Sequence, residues 1–182
     1  MSNNHSLDLN SILIPQADLT GTMRHDIARL KMAFWKYDLE SQMRWLEHET
    51  EPDDRHLVLL NASDLVGYLR LTRRSTRNSG EPRMIIGVST VAVAEKLHGR
   101  GLGFQLMSAA NAAIRSDPHA IGALCCAAEK VGFYQRCGWT LSQRSFCRAE
   151  APEQRFFQDE NVLTLGSTTA LAQRVHVDGK PF

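Results

Sequence analysis

Six consecutive residues, His98-Gly99-Arg100-Gly101-Leu102-Gly103, carry the most specific chemistry in the sequence. They follow the apolar run Val91-Ala92-Val93 and precede a stretch with helical periodicity that opens at Leu102. Glycine permits positive φ and lets the backbone come close to a ligand. The first N–H groups of a helix have no intrahelical partner, and the positive end of the helix dipole lies behind them. A buried strand, a turn with three glycines and a helix start, in that order, form a site for a phosphate or pyrophosphate. Arg100 can add a charge-assisted contact. A P-loop is excluded, because Gly103 is followed by Phe104 and Gln105 instead of Lys and Ser or Thr. The dinucleotide fingerprint G-x-G-x-x-G fails on spacing.

Such a turn needs elements to hold it. Ser11 to Ile14 reads as a strand stopped by Pro15. Thr20 or Thr22 can cap a helix whose apolar positions are Met23, Ile27, Leu30 and Phe34, and Leu39 to His48 has a second helical pattern around Met43, Trp45 and Leu46. Leu57 to Leu60 and Leu65 to Thr72 flank the polar turn Asn61-Ala62-Ser63-Asp64, which predicts a β-hairpin. Arg77 to Pro82 is another turn, and Met84 to Ala94 is a Val- and Ile-rich strand. The helix from Leu102 to about Arg115 should face inward with Leu102, Leu106, Ala109, Ala110 and Ala113, and Asp117-Pro118 stops it. Ile121 to Cys126 is a strand, Glu129 to Arg136 a short helix, and Trp139 to Phe146 and Val162 to Val177 supply the last strands around a loop holding Pro152. The order predicts an α+β domain with a mixed sheet, in which the helix after Val93 is the crossover of a β-α-β unit.

The 182 residues suffice for a single domain, expected to span 1–182. At 43% hydrophobic and 23% charged the chain is globular. Its formal net charge of +1 argues against a nucleic-acid partner. The polar start and the absence of a long apolar run predict neither a signal peptide nor a membrane span, and hence a cytoplasmic protein. Cys125, Cys126, Cys137 and Cys147 read as reduced thiols, and no metal site is expected.

The segment His98 to Gly103 resembles the [QR]-x-x-G-x-[GA] signature of the GNAT superfamily of N-acetyltransferases, with His98 where Gln or Arg is usual. Phe133-Tyr134-Gln135-Arg136-Cys137-Gly138-Trp139 resembles that family's F-Y-x-x-x-G-[FW] segment. The resemblance implies a GNAT fold, a central mixed β-sheet flanked by helices, with acetyl-CoA bound at His98 to Gly103. It implies pantetheine contacts from the backbone of Val91, Ala92 and Val93 and a cofactor contact from Phe133. It makes Tyr134 the general acid that protonates the departing thiolate. Cys125 and Cys126 would end the strand that faces the acetyl group, where a covalent route through cysteine is conceivable. The implied reaction is direct acetyl transfer to a primary amine in a ternary complex, and a homodimer is a family-level expectation.

Several stretches look like the aminoglycoside 2'-N-acetyltransferases: Ala17-Asp18-Leu19 with Arg24-His25-Asp26-Ile27, Val66-Gly67-Tyr68 with Arg73-Arg74, and the tail Val177 to Phe182. That likeness puts Thr90 at the position of a catalytic glutamate, with Ser89 beside it, and a threonine cannot take a proton from an ammonium group. It places Asp38 and Asp159, with Glu160, near acidic substrate-binding positions, and Phe182 in a tail that covers the substrate. Other bases to consider are Glu95, His98, His48, His56, His176 and the carboxylate of Phe182. Arg70, Arg73, Arg74 and Arg77 either steer an anion or form a solvated face. The expected substrate is a small-molecule amine, an aminoglycoside among them. The alternatives are a protein or peptide amine and a non-catalytic acyl-CoA sensor.

Overall fold

Strand-forming runs with β-branched residues and capped amphipathic helices alternate along the chain, and the computed structural model describes residues 7–77, 83–149, 161–169, 171–180 and 182. In chain order the elements are β1 (Leu9–Pro15), α1 (Gly21–Met32), α2 (Leu39–His48), β2 (Arg55–Asn61), β3 (Asp64–Ser75), β4 (Met84–Val93), α3 (Leu102–Arg115), β5 (Ala120–Cys126), α4 (Val131–Arg136), β6 (Thr140–Leu141), β7 (Ser145–Arg148), β8 (Asn161–Leu165) and β9 (Arg174–Val177). Seven strands form one sheet in the order β1-β2-β3-β4-β5-β8-β6, and β7 and β9 form a second sheet of two. β4 and β5 are parallel around the crossover helix α3, whereas β1–β2, β5–β8 and β6–β8 are antiparallel. This is the mixed sheet flanked by helices that the motifs implied.

Two compact units share the chain. One comprises Met1–Arg70 and Thr90–Leu106, the other Leu71–Ser89 and Met107–Phe182. The core of the first is Ile14, Leu19, Ile27, Ala28, Leu46, Val58 and Tyr68. Each large aliphatic side chain buried there contributes about 1.5–3 kcal/mol. Thr20 caps α1, its hydroxyl accepting from the Met23 N–H at 3.2 Å. The β2–β3 hairpin turns on Ala62 and Ser63, with Ala62 in the left-handed region at φ 52°. The core of the second unit is Ile85, Ile121, Ala123, Phe146, Leu171, Val175, Val177 and Phe182.

Four local expectations need correction. Phe34 lies beyond the end of α1 and is exposed. The buried face of α3 is Leu102, Leu106, Met107, Ala110, Asn111 and Ile114, while Ala109 and Ala113 are half-buried. The stretch from Trp139 to Phe146 is not one strand but β6 and β7, in different sheets. The cause is local: the Ser142 hydroxyl accepts the Arg144 N–H at 3.1 Å, a serine turn that competes with the ladder. Likewise Val162 to Val177 divides into β8 and β9. Pro152 and its loop lie outside the described residues.

Candidate active site

In the first unit β4 ends with a backbone anomaly. Thr90 has φ 57°, a left-handed conformation that a β-branched residue rarely adopts and that costs on the order of 1–3 kcal/mol. Ala92 is buried, and Val91 and Val93 are half-buried. A short 3-10 turn, Glu95–Leu97, then leads to His98. The His98 ring turns back on the strand, its Nε2 donating to the Val93 carbonyl at 2.7 Å. A carbonyl only accepts, so Nε2 carries the proton in this contact. Gly99 and Gly101 follow at φ 76° and 82°. A Cβ at either would meet nothing within 4 Å. Glycine is needed there for conformation, and the space beside the backbone is open to a ligand. Leu102, 1% exposed, anchors the start of α3, and the Gln105 N–H bonds to the Gly101 carbonyl at 3.1 Å. Arg100 is exposed at the tip of the turn. These are the features a pyrophosphate requires.

The same unit holds a cavity of about 430 Å³ that the sequence reading missed, lined by Lys31, Trp35, Tyr37, Trp45 and Thr90. Gln42 closes part of it and donates to the Trp35 carbonyl at 3.4 Å. No carboxylate is among the described residues that line it. Lys31 is 3% exposed, and its Nζ lies 3.2 Å from the centre of the Trp45 ring. The Arg70 guanidinium lies 4.7 Å from that ring centre. Burial, and then the Arg70 charge, lower the Lys31 pKa from 10.5 to about 7. A signal for this existed in the sequence. Lys31 sits one turn after Ile27, on the apolar stripe of its helix, where a lysine is out of pattern.

Asp38 is the N-cap of α2, accepting from the Ser41 N–H at 2.7 Å, and these hydrogen bonds hold its carboxyl below the usual range. It is exposed and outside the cavity lining. His56 is fully buried between Tyr68, whose hydroxyl lies 2.9 Å from Nδ1, and Gln16, whose Oε1 lies 2.5 Å from Nε2. Burial, and then the charges of Arg70, Arg24 and Lys31, lower its pKa from 6.5 to about 4. His56 is therefore a neutral core residue and not a base. Glu95, His98 and His48 are exposed, and His176 is half-buried on β9.

The arginines do not form one solvated face: Arg70 and Arg74 are buried, Arg73 is half-buried and Arg77 is exposed. Arg70 is buried against Asp54 at 3.4 Å and donates to the Glu49 carbonyl at 2.9 Å. Arg73 pairs with Asp117 at 3.2 Å, and Arg77 pairs with Asp178. Arg74 is buried and donates to the Lys180 and Arg73 carbonyls. Each guanidinium is committed to its own chain.

In the second unit Tyr134 lies on α4, half-buried, with the Phe133 ring edge-on at 5.0 Å between centres. Its helix ends in a Schellman motif. The Trp139 N–H bonds to the Tyr134 carbonyl, the Gly138 N–H to the Gln135 carbonyl, and Gly138 takes φ 88°. Trp139 is 2% exposed and donates from Nε1 to Asn111 at 2.9 Å, while Asn111 donates to the Cys137 carbonyl at 2.8 Å. That polar chain fixes α4. Burial, with the neighbouring thiols Cys126, Cys125 and Cys137, pushes the Tyr134 pKa up. Tyr134 is therefore a protonated donor across the physiological range.

Cys125 is half-buried on β5, opposite Val162 of β8, and Ser89 is half-buried on β4. The Phe182 ring packs in the core, edge-on to Phe146, and a Cβ on Gly87 would lie 2.0 Å from its own Cβ. The side chain of Phe182 is thus a core group. Asp159 and Glu160 lie outside the described residues. The structure brings Thr90, Val91, Ala92, Val93 and His98 to Gly103 together in the first unit, and Ser89, Cys125, Phe133, Tyr134 and Phe182 belong to the second. All four cysteines are free thiols. Among the described residues no group of three His, Cys, Asp or Glu is placed to hold a metal, and no helix is long and apolar enough to cross a membrane.

Residues 52–141, which include both the glycine turn and Tyr134, match the acetyltransferase (GNAT) domain family. No curated protein matches the chain. Solved structures do. The GNAT family N-acetyltransferase YhbS of Escherichia coli, in complex with CoA, is 16% identical over 98% of this chain and 93% of its own, with a TM-score of 0.66. An acyl-CoA N-acyltransferase from Pseudomonas aeruginosa is 20% identical over 87% of this chain and 100% of its own, with a TM-score of 0.62. Escherichia coli ElaA is 17% identical over 87% of this chain and 99% of its own, with a TM-score of 0.61. The chain thus has the GNAT fold, and its residues 52–141 are similar to the acetyltransferase (GNAT) domain family.

Proposed function

We propose that residues 1–182 act as one N-acetyltransferase domain that moves an acetyl group from acetyl-CoA to a primary amine of a small molecule. The observation that carries this is the turn at Gly99 and Gly101, two positive-φ glycines with open space beside them, in front of α3. Acetyl-CoA, when bound, supplies the acetyl group as a thioester. The backbone N–H groups at the start of α3 hold its pyrophosphate, with the positive helix end behind them. Arg100 adds charge, and His98 holds the turn against Val93. Tyr134, kept neutral by burial, donates its phenolic proton to the departing sulfur. Phe133 packs edge-on beside it.

Aminoglycosides are the acceptors of the branch that the sequence resembles. They are polycations, and polycation pockets need carboxylates. The lining of the Lys31 cavity has none among the described residues, so a monoamine with an apolar or aromatic body suits it better. The test is mass spectrometry of products from acetyl-CoA with a panel of aminoglycosides, polyamines and amino acids. One acetylated amine is the expected result. Absence of product across the panel, at measurable CoA affinity, would overturn the reading in favour of a sensor or a macromolecular acceptor. Tyr134→Phe should lower turnover about a hundredfold and leave CoA affinity within about twofold, and unchanged turnover would remove the acid role.

A further inference from the structure

Lys31 is the buried ionisable group that the reading above leaves unused. It is buried on α1, as Ile27 is, with its Nζ over the Trp45 ring. Among the described residues its Nζ has no ion pair and no hydrogen bond, and its recorded contact is the face of an indole. A buried cation without an acid partner is unfavourable, and an apolar residue of the same length would pack there at lower cost. The position is therefore poorly explained by folding. It is well explained by the cavity, which opens beside it.

We infer that Lys31 is the proton acceptor for the substrate amine, acting from the cavity that Trp35, Tyr37, Trp45 and Thr90 line. The inference rests on the acetyltransferase reading and supplies the base that Thr90 cannot be.

The groups around Lys31 set its protonation. From β3, Arg70 presents a like charge, itself neutralised in part by Asp54 ahead of β2. From β2 comes His56, which is neutral. From α2 come Gln42 and Trp45 and from β4 Thr90, all uncharged. With a pKa of about 7, Lys31 is partly neutral at physiological pH and carries a lone pair on Nζ. An alkylammonium has a pKa near ~10. A base whose pKa lies near the working pH is the effective one.

The proton balance closes. The substrate ammonium gives its first proton to the Nζ lone pair. The freed amine forms the N–C bond as the C–S bond breaks with its electron pair on sulfur. Nitrogen then sheds its second proton, equal to the one that sulfur takes up, and Lys31 returns its own to solvent. Meanwhile the aromatic faces of Trp35 and Tyr37 attract an ammonium.

Two measurements test this. The first reads Lys31 directly, by the pH titration of lysine 13Cε resonances in the whole protein. One resonance with a midpoint near 7, absent in Lys31→Met, is expected. A Lys31 that stays cationic to pH 9 overturns the inference whatever the activity. The second compares pH profiles of kcat/KM for whichever amine the panel identifies. The wild-type profile should rise to a plateau above pH about 7–8. In Lys31→Met it should fall about a hundredfold at pH 7.5 and then climb about tenfold per pH unit toward the amine's own pKa, at unchanged CoA affinity. Lys31→Gln should repeat the result if the methionine variant is poorly soluble. Product formation with an unshifted profile in both variants overturns the base role alone. Absence of product from every amine, at intact CoA binding, overturns the parent reading as well.

Discussion

His56 and Lys31 are both buried, both basic in type and both packed into the first unit, yet they differ in one respect. His56 has a partner on each ring nitrogen, Tyr68 and Gln16. Lys31 has an indole face and a cavity. A buried polar group with every bond satisfied stiffens a fold. One left without a partner beside a cavity is a candidate for chemistry. The sequence put His56 among the candidate bases and did not single out Lys31.

The largest way to break this comparison is His56→Ala. It should cost about 2–4 kcal/mol, because it opens a cavity and strips the Tyr68 hydroxyl of its partner. Thermal unfolding should show a midpoint lower by about 10 °C. A loss below 0.5 kcal/mol would show that the His56 network is not structural. The wild type also carries a pH signature here. The His56 pKa is about 4 folded against 6.5 unfolded, so the unfolded state binds more protons in that window and stability falls as pH drops from about 6.5 to about 4. The alanine variant should lose that slope in denaturant titrations at successive pH values.

Lys31→Met should act in the opposite direction. The Lys31 pKa is about 7 folded against 10.5 unfolded, so wild-type stability climbs with pH from about 7 to about 10.5. Methionine removes the desolvation cost, and the variant should be more stable at pH 7 by on the order of 2 kcal/mol, with the alkaline slope gone. A destabilised variant would mean that the cation on Trp45 serves the fold after all. The smallest effect is a control distant from both groups. Ala62→Gly relieves a φ of 52° in the β2–β3 turn and should gain about 0.5 kcal/mol, without either pH slope changing. Chemical denaturation resolves it.

Two sets of glycines extend the lesson. Gly99 and Gly101 are glycine for φ, with empty space beside them. Gly87 and Gly122 are glycine for room, because a Cβ would strike Phe182 at 2.0 Å in the one case and Trp139 at 2.9 Å in the other. The first kind was legible from the chain, since three glycines between a strand and a helix have a local meaning. The second was not, since it depends on residues far away in sequence, 95 positions from Gly87 to Phe182.

What the sequence by itself determined was set by short-range rules. The turn at His98 to Gly103, the cap of α1 at Thr20 and the stop of α3 before Pro118 all rest on backbone preferences within a few residues. What only the tertiary structure decided involves groups brought together across many residues. Trp45 lies 14 positions from Lys31, and helix packing alone sets the indole on the ammonium. Asp54, Asp117 and Asp178 take up arginines that look like one basic cluster in the chain. Thr90 takes up a left-handed φ that no threonine would choose in isolation. Charge and burial are properties of an environment, and a chain acquires its environments only on folding.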